Sequence, residues 1–113
     1  MTTEKDIERK LRLLVEEHGG QCLKWVCPGW SGVPDRIVLL PRGRITFVET
    51  KRPKGGHLSE LQKWWGRKLR DLGFTYWVVW DEKDLEWFER DELNWEDLDW
   101  DDWREGRWEG LEE

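Results

Sequence analysis

The residues from Gly32 to Lys51, GVPDRIVLLPRGRITFVETK, constrain the fold more than any other part of the chain. Asp35 opens the run DRIVLL, whose β-branched and aliphatic make-up is that of a buried strand. The segment Pro41 to Arg44 is short and contains a glycine, which suits a hairpin, and RITFVETK reads as the returning strand. Side chains alternate across a strand, so Glu49 and Lys51 point the same way. Antiparallel pairing then brings Asp35, at the start of one strand, beside Glu49 and Lys51, at the end of the other.

Two converging carboxylates repel one another and lose hydration unless a cation lies between them. A hard divalent ion with oxygen ligands answers that need. Magnesium, which keeps several waters and uses few protein carboxylates beside phosphate oxygens, suits a site this sparse. An ammonium beside such an ion can orient a water and stabilise charge developing on a phosphate. This constellation points to metal-dependent phosphodiester hydrolysis. Either fragment alone has a plainer explanation, a turn for the Pro-Asp pair and an exposed strand face for Glu49 and Lys51; their order and spacing together are the specific signal.

The remaining elements follow from periodicity. Thr3 and Asp6 form a capping box before Ile7, Leu11, Leu14 and Val15, which recur at helical spacing, and Gly19-Gly20 ends that helix. Glu8 lies at the edge of the apolar face. Gln21 to Val26 reads as the first strand, with Lys24 inside it, and the Gly- and Pro-rich loop from Cys27 to Pro34 leads into Asp35. Gly32 in that loop implies an unusual backbone angle or a close approach. A basic loop, RPKGGH, follows Lys51 and places Arg52 and Lys54 beside the candidate site, where they suit backbone phosphates.

Ser59 and Gln62 form a second capping box, so Gln62 has a structural reason to be present as well as a possible place at the site end. Along this helix Leu61, Trp65, Leu69 and Leu72 are expected to be the buried stripe. Lys63, Arg67 and Arg70 line another face, either solvated or tracking one strand of a duplex. Thr75 to Trp80 reads as the closing strand and Leu85 to Phe88 as a short edge strand. Cys22 and Cys27 are too few for a disulfide framework and wrongly spaced for a metal motif, so free thiols are expected.

Charge is divided between the two ends. The net charge is −6, yet residues 1–80 hold 15 Lys/Arg against 9 Asp/Glu, whereas residues 81–113 hold 4 against 16. A basic, polyanion-binding body with an acidic extension is the expectation. We expect a domain over residues 1–90 and a separate acidic segment over 91–113, in which Trp95, Trp100, Trp103 and Trp108 stand among many acids. No stretch approaches the roughly 20 apolar residues that cross a bilayer, and the N-terminus has no signal-peptide pattern, so a cytoplasmic protein of a bacterial or phage-infected cell is expected.

GVPDRIVLL, a short turn and FVETK resemble the VRR-NUC (virus-type replication-repair nuclease) family of the PD-(D/E)xK nuclease superfamily, above all its small stand-alone phage and bacterial members. The resemblance covers about residues 4–80. It implies an α/β, restriction-endonuclease-like αβββαβ core with a mixed sheet flanked by helices. It further implies Mg2+ or Mn2+ dependence and DNA cleavage, and for stand-alone members a homodimer acting on branched double-stranded DNA, above all Holliday junctions.

Carried onto this sequence, the resemblance implies that Asp35, Glu49 and the Thr50 carbonyl bind metal and that Lys51 serves the attacking water. Glu8, with Glu4 as the competing alignment, would be the first-helix acid, and Gln62 would join the catalytic group. Lys24, Arg52, Lys54, Lys63 and Arg67 would contact DNA. A binding module without turnover, and a protein-interaction factor built around the acidic extension, are the alternatives from other classes.

Overall fold

The computed structural model describes residues 2–94. The first helix, α1 (Glu4–Glu17), begins with a complete capping box: the Thr3 hydroxyl accepts from the Asp6 N–H at 3.2 Å, and Asp6 accepts from the Thr3 N–H at 2.9 Å. Three strands follow, β1 (Gln21–Lys24), β2 (Arg36–Leu40) and β3 (Arg44–Thr50), then α2 (Glu60–Asp71), β4 (Thr75–Val79) and α3 (Glu82–Phe88). A π-helical turn over Glu89–Leu93 closes the described chain. Up to β4 this is an αβββαβ order.

The sheet order is β1-β2-β3-β4, with β1, β2 and β3 antiparallel and β4 parallel to β3. A mixed sheet results because β2 and β3 are joined by a tight turn over Pro41–Gly43, whereas β3 reaches β4 through the α2 crossover. Arg36 pairs with Val48, and Leu40 with Arg44.

Each face of the sheet carries its own core. Ile7, Leu11 and Val15 of α1 and Leu85 and Phe88 of α3 pack with Val38, Leu40, Val48 and Val79 on one face. On the other, Leu69 of α2 packs with Phe47 and Tyr76, joined by Trp25, Ile37, Trp65 and Val78. Partial burial on both faces fits the apolar run of β2, in which Leu39 is the exposed member.

Several expected details change. The strand expected over Leu85 to Phe88 is a helix, capped by Asp81, whose carboxylate accepts from the Asp84 N–H at 2.9 Å. Leu85 and Phe88 are buried at a spacing of three while Glu86 and Trp87 are exposed, which is a helical pattern. The first strand ends at Lys24 rather than Val26.

In α2 the contact with the sheet runs through Trp65, Gly66 and Leu69, and Leu61 and Leu72 stay 45% and 60% exposed. A Cβ at Gly66 would lie 2.8 Å from the Tyr76 ring. Glycine at that point permits the close approach of α2 to Tyr76.

Across the C-terminal turn, Glu92 is buried, pairs with Arg44 at 2.7 Å and accepts from Trp77 Nε1 at 2.8 Å. The chain therefore stays packed on the body through Leu93. Trp95, Trp100, Trp103 and Trp108 lie outside the described residues. No helix among the described residues is long and apolar enough to cross a membrane.

Candidate active site

Asp35, one residue before β2, and Glu49 and Thr50, at the end of β3, meet at one end of the sheet. Adjacent residues of a strand face opposite sides, so Glu49 turns toward α2 and Thr50 toward α1. The contacts agree. Gln62 of α2 donates through Nε2 to Glu49 Oε2 at 3.2 Å, and Glu8 of α1 lies 3.3 Å from Thr50 Oγ1.

Asp35 sits between the two faces. The Thr50 N–H donates to its carboxylate at 3.3 and 3.4 Å, and the Thr50 hydroxyl lies 2.7 Å from Asp35 Oδ2. A hydroxyl has one proton, and the shorter contact takes it. Glu8 is instead held through its other oxygen by Arg36, at 3.1 Å. In a strand the N–H and C=O of one residue point to the same side, so the Thr50 carbonyl also faces the Asp35 side.

Burial raises the pKa of Asp35, and the Glu8 charge adds to it, against the lowering effect of the Thr50 hydrogen bonds. Glu49 is only 4% exposed. Burial first and the Asp35 charge second push its pKa up to about 7, although Lys51 draws it down. Lys51 Nζ stands 3.3 Å from Glu49 Oε2, and both side chains are largely buried. Two carboxylates that repel each other in a poorly hydrated pocket form a donor set that a divalent cation would satisfy.

The two readings of Gln62 turn out to be compatible. Its Oε1 accepts from the Ser59 N–H at 2.8 Å, completing the capping box, while its Nε2 reaches Glu49. Glu4 and Glu8 need not compete either, because ligand oxygens of Glu4, Glu8 and Asp35 all lie within 4.8 Å of one another. Their spacing of four residues on one helix was the available signal. Sequence reading missed Arg36, which anchors Glu8; its place opposite Val48, on the α1 face, is set by strand register.

The five expected phosphate-binding cations are exposed but dispersed. Lys24 ends β1, paired in register with Arg36. Arg52 and Lys54 border a groove with Thr2, Thr3 and Glu4 of the α1 N-terminus, and Arg52 donates back to the Gly55 carbonyl at 3.4 Å. Lys63 pairs with Glu60 at 3.3 Å. Arg67 lines a groove with Trp30, Trp64 and Trp65. Arg70 leaves the expected stripe, donating to the Tyr76 carbonyl at 3.2 Å and standing over the Tyr76 ring.

A family model described as the VRR-NUC domain matches residues 3–80. Over 82 residues the chain is 52% identical to the protein named "Putative nuclease p44" of Acyrthosiphon pisum secondary endosymbiont phage 1, covering 73% of this chain and 86% of that protein. A solved structure titled "VRR_NUC domain" superposes with a TM-score of 0.73 at 29% identity, covering 80% of this chain and 99% of that one. A family match over residues 3–80, with sequence and fold likeness of this extent, makes this chain a member of the VRR-NUC family of nucleases.

Proposed function

We propose that the protein is a structure-specific DNA endonuclease dependent on Mg2+ or Mn2+, acting as a homodimer on branched double-stranded DNA, with the Holliday junction as its most specific substrate. The observation that carries this reading is the buried convergence of Asp35 and Glu49, both with raised pKa, beside Lys51. Such a pocket is unfavourable for protein alone and suited to a cation and a phosphate. The family's nuclease character supports hydrolysis over mere binding.

Asp35, Glu49 and the Thr50 carbonyl would hold the ion, with Glu8, and Glu4 beyond it, acting directly or through water. When bound, the ion supplies charge neutralisation at the scissile phosphate and eases deprotonation of water. Lys51 places a positive charge where the phosphate oxygens gain negative charge, and orients the attacking water. Gln62 and Arg36 are positioning residues: one holds Glu49, the other Glu8. Lys24, Arg52, Lys54, Lys63 and Arg67 would neutralise backbone phosphates, a contribution that weakens with salt.

Cutting both strands at a four-way junction requires two active sites, which a twofold dimer supplies. Cleavage of labelled four-way, flap and linear DNA with Mg2+, Mn2+ or EDTA tests the reading, beside Asp35→Ala and sedimentation of the free protein. Metal-dependent cutting of branched DNA by a dimer, lost in Asp35→Ala, is the expected result. Persistent cutting by Asp35→Ala would place the site elsewhere.

A further inference from the structure

Beside the carboxylates, the structure holds a groove that the hydrolytic site does not use. Trp30, from the loop before Asp35, and Trp64 and Trp65, from α2, line it together with Ser31, Leu61 and Arg67. Trp65 is its fixed wall: its Nε1 donates to the Ser31 carbonyl at 3.0 Å. Trp30 and Trp64 meet that wall edge-on, at centroid distances of 6.0 and 5.0 Å and interplanar angles of 80° and 90°. Both keep much of their ring surface in solvent, being 62% and 44% exposed. Gly32 locks the loop onto the helix, since a Cβ there would lie 2.6 Å from Leu61 Cγ.

Exposed tryptophans held open in this way lose apolar surface to water unless something flat covers them. Three observations identify the occupant. Arg67 and Glu60 both line the groove, and Lys63 pairs with Glu60 at 3.3 Å, so the charge that remains at the groove is the positive one of Arg67. The groove is also near the chemistry: Gln62, which touches Glu49, precedes Trp65 by three residues, a rise of about 4.5 Å along the helix. Finally, the lining is aromatic rather than aliphatic, and a π-face accepts any base.

We propose that this groove stacks unpaired nucleobases of the DNA strand next to the scissile phosphate, so that the enzyme requires unstacked nucleotides at its cut site. The proposal rests on the endonuclease reading for the position of the scissile phosphate. Paired bases hide their faces inside the duplex and cannot enter; unpaired bases at a branch, flap or gap can. The groove therefore selects for local strand opening, while the basic side chains hold the backbone without regard to sequence.

The test measures binding in Ca2+, by anisotropy of labelled DNA, to a paired duplex, to the same duplex with a short unpaired flap, and to that flap with abasic sites in place of its bases. Wild type should prefer the base-bearing flap to the abasic one by about tenfold, within the range for one stacked base. Trp30→Leu and Trp64→Leu should remove that preference and leave duplex binding unchanged. Trp64→Phe should retain most of it.

Leu variants that bind the flap as wild type does, or that lose affinity equally for all three DNAs, would overturn the proposal. A changed oligomeric state at equal concentration would overturn it too, because it assigns the groove to a second copy of the chain. Base preference in Ca2+ without any cleavage in Mg2+ would refute the endonuclease reading and leave the groove standing. Cleavage without base preference would do the reverse.

Discussion

Glu49→Gln should make the metal-free protein more stable at neutral and alkaline pH, although it removes a proposed metal ligand. In the fold the Glu49 pKa is about 7, against an ordinary value of 4.5. A carboxyl whose folded pKa is raised holds its proton to higher pH than in the unfolded chain. Its stabilising effect is therefore present below the unfolded value and is lost as pH rises through the folded one. A difference of about 2.5 pKa units corresponds to about 3 kcal/mol.

Glutamine imitates the protonated form: it keeps the shape and an oxygen that can accept from Gln62 Nε2. The variant should exceed wild type by about 3 kcal/mol near pH 8 and by about 1 kcal/mol or less near pH 5. For a domain of this size that is a Tm difference on the order of 10 °C at the higher pH. Urea denaturation in EDTA at the two pH values, followed by tryptophan fluorescence, measures it. Mg2+ should then stabilise wild type and leave the variant behind, because only the native carboxylate pair gains a ligand. A variant whose advantage does not grow between pH 5 and pH 8 would refute the account of Glu49 as a buried, repelled carboxylate.

Lys51→Met should lower the cleavage rate by about 10²- to 10³-fold while leaving DNA affinity in Ca2+ within a few-fold of wild type, as single-turnover and binding measurements would show. Gly32→Ala should destabilise the fold by about 1–3 kcal/mol, since it strains a backbone at φ +84 and drives a Cβ into Leu61. Chemical denaturation reads that change directly. Glu92→Ala should cost about 1–3 kcal/mol by leaving the part-buried Trp77 Nε1 without its carboxylate acceptor, and thermal denaturation checks it.

Much of the fold and of the candidate site was legible in the chain because it depends on local signals. Two capping boxes, Thr3 with Asp6 and Ser59 with Gln62, marked both helix starts. The turn over Pro41–Gly43 set the β2–β3 hairpin, and strand alternation then placed Glu49 and Lys51 on one side. The α3 helix was misread because Leu85 and Phe88 form too short an apolar pattern to separate helix from strand; the Asp81 cap and burial against Val79 decide it.

What the sequence determined by itself was the order of elements as far as β4 and the pair of carboxylates at a strand end, since hairpin register and side-chain alternation follow from residues close together in the chain. Only the tertiary structure decided which groups face that pair. Arg36 reaches Glu8 across 28 residues, Gln62 reaches Glu49 across 13, and Trp65 meets Ser31 across 34. Those contacts depend on how α1 and α2 settle on opposite faces of the sheet, through Val15 and Leu11 on one side and Gly66 on the other. Packing between distant elements is set by shape and volume, which no local pattern encodes.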